Sequence, residues 1–153
     1  MQVSDILTPQ QVRCGVDALS KKRTLELLSA MIAARDPSLT VNAVFDCLLA
    51  RERLGSTGLE EGVAIPHGRM RGITRAIGAF MRLNQGVDFD AQDRQPVDLV
   101  FGLLVPEDAT DEHLQILSQL AEMLSDPSLR EQLRTAESEQ SIFDLLAPSV
   151  HQS

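Results

Sequence analysis

Histidine is the residue type best suited to nucleophilic or acid–base chemistry near neutral pH, and this chain contains three histidines. His67 lies in the sequence Ile-Pro-His-Gly after a short apolar run, with Pro66 restricting the backbone before it and Gly68 leaving space after it. An imidazole on such a turn can present a ring nitrogen to an incoming molecule. The same local sequence also suits a histidine that only hydrogen-bonds a turn. We assign no role to His151, which lies in the C-terminal tail.

The second candidate is His113, in the run VDLVFGLLVPEDATDEHL. This run passes from a nearly continuous apolar stretch through an acidic loop into the first turn of a predicted helix. His67 and His113 would then both follow the C-terminal ends of strands, the edge at which open α/β sheets bind ligands. A neutral His113 at a helix N-terminus could donate an N–H to an anion. Alternatively, His113 is the first member of the helix's apolar stripe and belongs to the core.

Basic and hydroxyl side chains precede His67. Arg51 and Arg53 end a predicted helix, and Ser56 and Thr57 follow in Gly-Ser-Thr-Gly. Arginines are common in a last helical turn, and serine and threonine fit an ordinary loop. A phosphoryl group nevertheless needs a set of this kind: a neutral histidine nucleophile, a fixed cation, and hydroxyl or backbone donors. One charge-assisted hydrogen bond to such a group contributes about 1.5–3 kcal/mol.

Two competing chemistries lack the motifs they require. The acidic residues Asp108, Asp111 and Glu112 could be drawn as metal ligands beside the two histidines, but no H-x-x-x-H pattern or carboxylate motif at fixed spacing supports a metal site. A serine hydrolase would need a G-x-S-x-G elbow, which the sequence does not contain. We therefore expect no metal and no cofactor.

The charge balance favours a protein partner over a nucleic acid. The net charge is −8, from 14 basic and 22 acidic residues, and the basic residues form no cluster that could release counterions from a phosphate backbone. With five Phe and no Trp or Tyr, the chain also lacks the stacking surface that single strands need. A partner protein with a basic face would be attracted to this chain instead.

Two amphipathic helices are predicted before the candidate site. Residues 20–34 form one, with Ser20 as its N-cap, and a second helix begins after Thr40 and ends near Arg51–Arg53. The second helix places its apolar residues at i, i+3, i+4, i+7 and i+8, so that this stripe should face inward. The stripe consists of Val41, Val44, Phe45, Leu48 and Leu49.

The middle of the chain has the pattern of strands. Residues 75–84 and 97–105 are predicted strands, and the second is apolar almost throughout, as expected for a strand covered on both faces. Gln85-Gly86 and residues 90–95 are predicted turns. Helical periodicity returns after Pro106 and restarts at Pro127. Helices on both sides of an apolar strand region predict an α/β fold with one mixed sheet in a single domain, residues 1–153, whose core spans about residues 5–147.

The compartment follows from what the sequence lacks. No apolar run reaches the roughly 20 residues that span a bilayer, and the N-terminal residues do not resemble a signal peptide. Cys14 and Cys47 have no metal-ligand spacing and are too few for a disulfide framework. We expect a cytoplasmic protein with reduced thiols and no membrane insertion.

The stretch RERLGSTGLEEGVAIPHGRM resembles the active-site segment of phosphotransferase-system enzyme IIA domains of the fructose–mannitol type. The resemblance continues through QPVDLVFGLLVPEDATDEHLQILSQLAEML and covers nearly the whole chain. It implies about five strands with helices on both faces of the sheet. It also implies that His67 accepts a phosphoryl group, that His113 hydrogen-bonds it, and that Arg51, or less readily Arg53, clamps it. Ser56, Thr57 and Gly68 are the candidate residues of a phosphate loop.

Within that family, the short acidic chain with LGSTG and PVDLVFGLLVP is most similar to the nitrogen-related enzyme IIA. This similarity implies phosphorylation by an HPr-like carrier and regulation of target proteins by phosphorylation state. A sugar-transport enzyme IIA that passes phosphate to a IIB domain is the alternative, and a binding module without phosphorylation is the alternative from another class.

Two features around the predicted site depend on exposure. Glu60 and Glu61 would repel a phosphoryl group unless they point to solvent. Leu54, Leu59 and Met70 are the predicted apolar contacts for a docking carrier.

Overall fold

The computed structural model describes residues 1–148, and in this range it has five strands and six α-helices. The strands are β1 (Val12–Val16), β2 (Val63–Ala64), β3 (His67–Met70), β4 (Ile77–Val87) and β5 (Val97–Pro106). The helices are α1 (Val3–Ile6), α2 (Lys21–Ala33), α3 (Val41–Leu54), α4 (Asp111–Leu124), α5 (Pro127–Thr135) and α6 (Glu139–Leu146), with a 3₁₀ turn at Pro9–Gln11. The prediction that concerns His151 lies outside the described residues.

The five strands form one mixed sheet, as predicted. The central strands β4 and β5 are antiparallel, and β1 pairs with β4 in parallel. The short strands β2 and β3 follow one another along the other edge of β5, and both are parallel to it. This arrangement brings the segment that contains His67 alongside the second half of β5.

Helices cover both faces of the sheet and give two apolar clusters. Helices α2 and α3 pack on one face, against β5 residues that include Val100 and Leu104. Helices α1, α4, α5 and α6 cover the other face, against residues that include Leu99, Phe101 and Leu103. Because side chains alternate along a strand, covering both faces requires apolar residues at almost every position of β5. The apolar run 97–105 was correctly predicted as a strand of this kind.

The predicted N-caps hold α2 and α3 at their starts. The Ser20 hydroxyl accepts a hydrogen bond from the backbone N–H of Arg23 at 3.0 Å, and the Thr40 hydroxyl accepts one from Ala43 at 3.2 Å. Helices α2 and α3 then pack against each other and against the sheet. The end of α3 is thereby held beside β3.

Four details differ from the sequence prediction. Val41, predicted to face inward, is 43% exposed because it lies in the first turn of α3, at the rim of the packed surface. Strand β1 was not predicted. Strand β4 continues through the predicted turn at Gln85-Gly86, with an irregular register between Arg82 and Val87. His67 does not lie on a turn, because the chain resumes pairing with β5 after Pro66 and His67 is the first residue of β3.

The helices of residues 1–148 were compared with the length and apolar character that a membrane-spanning helix needs. In this range no helix is both long enough and apolar enough to cross a bilayer.

Candidate functional site

A cavity of about 610 Å³ lies between the C-terminal half of α3, strand β3, the second half of β5 and the first two turns of α4. Its polar side chains are Arg51, His67, Arg69 and His113. The rest of its wall is largely apolar, formed by Cys47, Ala50, Leu54, Gly68, Leu103, Val105, Leu114 and Leu117. The structure therefore brings together the two histidines and one of the two arginines predicted from the sequence.

The ring of His67 is held in one tautomer by a backbone carbonyl. Its Nδ1 lies 2.8 Å from the carbonyl oxygen of Ile65. A carbonyl oxygen can only accept a hydrogen bond, so Nδ1 carries the proton and donates it. The neutral ring then has its lone pair on Nε2. This nitrogen is the free nucleophilic atom of His67.

The surroundings of His67 keep this ring neutral. Half-burial of the imidazole, the largest influence, lowers its pKa below the ordinary value of 6.5. The hydrogen bond to Ile65 and the charge of Glu52 raise the pKa, whereas the charge of Arg51 lowers it, and the net direction is down. At neutral pH the Nε2 lone pair is consequently available.

His113 is held in the opposite tautomer. It is the third residue of α4, and its Nδ1 lies 3.1 Å from the backbone nitrogen of Thr110. A backbone N–H can only donate, so Nδ1 of His113 accepts and carries no proton. The proton of the neutral ring is then on Nε2, which makes this side chain a hydrogen-bond donor. One histidine of the cavity thus offers a lone pair, and the other offers an N–H.

The structure separates the two arginines at the end of α3. Arg51 lines the cavity, and its Nη1 donates to the carbonyl oxygen of Gly55 at 2.9 Å, which fixes the guanidinium across the last turn of the helix. The charge of Arg51 lowers the pKa of His67, the direction expected of a nearby cation. Arg53 is exposed and does not line the cavity. Of the two, only Arg51 is placed to meet a group bound at His67.

The hydroxyl groups of the Ser-Thr loop are not in the cavity. Ser56 donates its hydroxyl to the carbonyl of Phe89, and Thr57 donates its hydroxyl to the carboxylate of Glu52. The backbone N–H groups of Thr57 and Gly58 are also taken, by Glu52 and by the Ser56 oxygen. These groups fix the shape of the loop and leave no free hydroxyl for a phosphate.

Gly68 lines the cavity and allows α3 to approach β3 closely. A Cβ added at Gly68 would lie 2.6 Å from Sγ of Cys47. The thiol of Cys47 in turn donates to the carbonyl of Arg69 at 3.1 Å, and its burial raises its pKa. The glycine is therefore a packing requirement of the site.

The acidic pair that follows the loop points away from the cavity. Glu60 and Glu61 are exposed and are not part of its wall. The backbone N–H of Glu61 donates to Asp93, and its carbonyl accepts from Arg134. The exposure of Glu60 and Glu61 meets the condition under which the predicted repulsion of a phosphoryl group would not arise. Within residues 1–148, no three His, Cys, Asp or Glu side chains lie together as a metal site would need.

Sequence reasoning missed two polar residues near the site. Arg69 lies two positions after His67 on β3, and because side chains alternate along a strand it faces the same cavity. Glu52 is only 6% exposed, between two arginines in the sequence. Its position was readable, because Val44, Leu48 and Glu52 follow one another at intervals of four along the buried stripe of α3.

Comparison with known proteins gives one consistent result. Residues 5–148 match the family described as "Phosphoenolpyruvate-dependent sugar phosphotransferase system, EIIA 2". A "Nitrogen regulatory protein" of Escherichia coli K12 is 44% identical over 147 residues, covering 95% of this chain and 90% of that protein. A "PTS system fructose-specific EIIA component" of Haloferax volcanii is 42% identical over 153 residues, covering 98% of this chain and 99% of that protein.

The fold is also that of a solved relative. The crystal structure of "Nitrogen Regulatory Protein IIA-Ntr" from Neisseria meningitidis superimposes with a TM-score of 0.90 at 46% identity. The match covers 95% of this chain and 99% of that one. The sheet and the two helical layers described above are therefore shared with this protein.

Proposed function

The chain belongs to the EIIA 2 family of the phosphoenolpyruvate-dependent sugar phosphotransferase system, and on that premise we propose that it carries a phosphoryl group on Nε2 of His67. The observation that supports this assignment is the pair of opposite tautomers in one cavity. His67 offers a lone pair at Nε2, while His113 offers an N–H and Arg51 a cation. These are the nucleophile and the two kinds of oxygen ligand that phosphoryl transfer needs.

The proposed reaction is an in-line transfer between two histidines. The Nε2 lone pair of His67 attacks the phosphorus of a phosphohistidine on an HPr-like carrier protein. The new N–P bond forms as the N–P bond of the donor breaks, and the bonding electron pair stays on the donor's ring nitrogen. Nδ1 of His67 keeps its proton on the carbonyl of Ile65, so no proton has to leave the ring.

Arg51 and His113 bind the charge of the transferred group in this proposal. The guanidinium and the Nε2–H of His113 contact the equatorial oxygens, and each bond of this kind contributes about 1.5–3 kcal/mol. The apolar wall excludes water from the group. Because the phosphoryl group arrives already activated, positioning and charge stabilisation suffice, and the reaction uses no cofactor.

The carrier docks, we propose, on apolar side chains around the mouth of the cavity. Leu54 is 85% exposed and Leu114 is 43% exposed, and both contribute to the cavity wall. Exposed apolar side chains grouped at the rim of a polar site are a mark of protein-interaction surfaces. Leu59 is also exposed but lies outside this cavity, and Met70 is half-buried against the α2–α3 side of the core.

For the cellular role of this chain we propose regulation of partner proteins according to the chain's own phosphorylation state. The names of the relatives from Escherichia coli and Neisseria meningitidis support this branch. Onward transfer to a sugar-system IIB domain is the second candidate, and the fructose-specific name of the Haloferax volcanii relative favours it. Intact His67, His113 and Arg51 in one cavity argue against a module that is never phosphorylated.

The experiment that tests phosphorylation is labelling by phosphoenolpyruvate with the general carrier proteins. The wild-type protein should gain one acid-labile phosphoryl group, and the His67→Ala variant should gain none. Labelling of the variant at another residue would overturn the assignment. To separate the two roles, the labelled protein is mixed with sugar-system IIB domains, and partners are captured with each form. Rapid transfer to a IIB domain would favour the sugar-transport alternative.

A further inference from the structure

A buried carboxylate lies next to the proposed phosphoryl site without touching it. The Glu52 side chain is 2% exposed, and it accepts hydrogen bonds from the backbone N–H of Thr57 at 3.0 Å and from the Thr57 hydroxyl. Lys21, the first residue of α2, makes an ion pair with it at 2.7 Å. A buried carboxylate needs such partners, and here three donors meet it.

Thr57 is hydrogen-bonded in turn to the segment that precedes His67. The carbonyl of Thr57 accepts the backbone N–H of Ile65 at 3.1 Å. The carbonyl of Ile65 accepts Nδ1–H of His67 at 2.8 Å. A chain of three hydrogen bonds therefore runs from the carboxylate of Glu52 through the backbones of Thr57 and Ile65 to the imidazole.

The two backbone segments are also held from the sheet side, since β2 pairs with β5 just before Ile65 and the Pro66 carbonyl accepts the backbone N–H of Leu103 at 2.9 Å just after it. They form a narrow loop, closed by a bridge between Gly58 and Ala64 and by the hydrogen bond from Leu59 N–H to the Val63 carbonyl at 2.7 Å. Pro66, which follows Ile65, has no N–H to donate. The Glu52–Thr57 contact adds a direct side-chain link from this loop to α3, the helix that also carries Arg51.

We propose that Glu52 is a positioning residue for His67. By holding Thr57, and through it the carbonyl of Ile65, Glu52 fixes the tautomer that leaves Nε2 free and fixes the ring relative to Arg51. Glu52 would act by fixing positions and not by electronic polarisation, because the N–H and C=O groups of Thr57, and those of Ile65, are separated by an sp³ Cα atom and are not conjugated. This inference rests on the proposed phosphoryl transfer for its effect on rate, whereas its effect on the tautomer stands independently of that function.

A matched pair of double variants isolates the hydrogen-bond acceptor. Lys21→Met/Glu52→Gln removes both charges but keeps a side-chain oxygen that accepts from Thr57 N–H. Lys21→Met/Glu52→Met removes the same charges and has an unbranched side chain of similar length, but no such acceptor. Both variants lose the ion pair and the Lys21 contact with the Phe89 ring at 5.3 Å. Any difference between them reports the contact with Thr57.

The measurement is the ¹⁵N spectrum of His67 in the unphosphorylated protein, which distinguishes Nδ1–H from Nε2–H. The glutamine double variant should keep the Nδ1–H form of the wild type, and the methionine double variant should show a mixture of tautomers. Phosphoryl transfer from the carrier should be at least about tenfold slower in the methionine variant than in the glutamine variant, since misplacement by about 1 Å costs about 100-fold.

The possible outcomes distinguish the positioning role of Glu52 from the proposed phosphoryl transfer. Identical tautomers and identical transfer rates in the two double variants would overturn the role of Glu52. A changed tautomer in a protein whose wild type accepts no phosphoryl group would support that role and reject the proposed function. If the methionine variant does not fold, Glu52→Asp keeps the charge opposite Lys21 but shortens the reach to Thr57. It must then show the same mixed tautomer, and an unchanged spectrum would overturn the proposal.

Discussion

Gly68→Ala is the substitution whose effect can be worked out most directly from the structure. The added methyl carbon would lie 2.6 Å from Sγ of Cys47, about 1 Å inside a normal heavy-atom contact of about 3.5–4.0 Å. Relief requires either rotation of the thiol, which breaks its hydrogen bond to the Arg69 carbonyl, or movement of α3 away from β3. Overpacking of this kind costs about 1–3 kcal/mol.

The displacement would also reach the proposed site. Arg51 is one helical turn after Cys47 and lies on the same face of α3, so that a shift at Cys47 carries the guanidinium away from His67. A misplacement of about 1 Å lowers a transfer rate by up to about 100-fold. We therefore expect Gly68→Ala to be less stable than the wild type and also slow in accepting a phosphoryl group from the carrier.

A second substitution tests the reason for this effect. In Cys47→Ala/Gly68→Ala the sulfur is gone, and the tightest remaining contact of the new methyl is with the Cys47 carbonyl oxygen at 3.3 Å. Most of the lost stability and rate should return, giving a coupling free energy of about 1–2 kcal/mol between the two substitutions. Urea unfolding and carrier-dependent labelling measure the two quantities. Additive effects, or a Gly68→Ala protein as stable as wild type, would refute the steric reasoning.

Four further predictions follow from the site. Arg51→Gln should slow phosphoryl acceptance about 10–100-fold through loss of a charge-assisted bond. Arg53→Gln, which changes the matched exposed arginine, should leave the rate within about twofold of wild type. Equal effects of the two substitutions in rapid-quench labelling would contradict the assignment. Because the pKa of His67 is lowered, the transfer rate should be constant near pH 7 and fall only below about 6.5. Because the pKa of His67 is lowered by folding, the unfolded chain binds a proton at His67 more readily than the folded protein does. The free energy of unfolding of wild type, measured with urea relative to His67→Gln, should therefore decline below about pH 6.5. An increase in this difference as the pH falls would contradict the lowered pKa. Leu54→Asp should raise KM for the carrier and leave the unfolding midpoint nearly unchanged, and an unaltered KM would remove this leucine from the docking surface.

The outline of the fold was predictable because burial leaves a regular pattern in the chain. The continuous apolar run of β5 and the i, i+3, i+4 spacing of α4 follow directly from covering both faces of a sheet. Strand β1 was missed because it is short, contains Arg13 and Gly15, and buries only one residue fully. Its partner is the distant β4, and pairing of that kind has no local signal.

In the candidate site, too, local sequence patterns were predictable and contacts between distant elements were not. His67, His113 and Arg51 were predicted as site residues because their types and flanking residues suggest phosphoryl chemistry, and the structure places all three on one cavity. The interpretation of Ser56 and Thr57 failed to anticipate that their hydroxyls are used within the protein, since the acceptors come from other elements. The tautomers of the two histidines were not predictable either. They depend on a carbonyl and an N–H whose direction only the folded backbone fixes.

The most direct test of the account is the site and atom of phosphorylation. Wild-type protein labelled through the carrier would be examined by long-range ¹H–¹⁵N NMR, with intact-mass measurement to count the phosphoryl groups. We predict one group, bonded to Nε2 of His67, with Nδ1 still protonated on the Ile65 carbonyl. A phosphoryl group on Nδ1 of His67, or on His113, would contradict the tautomer assignment on which the proposed mechanism depends.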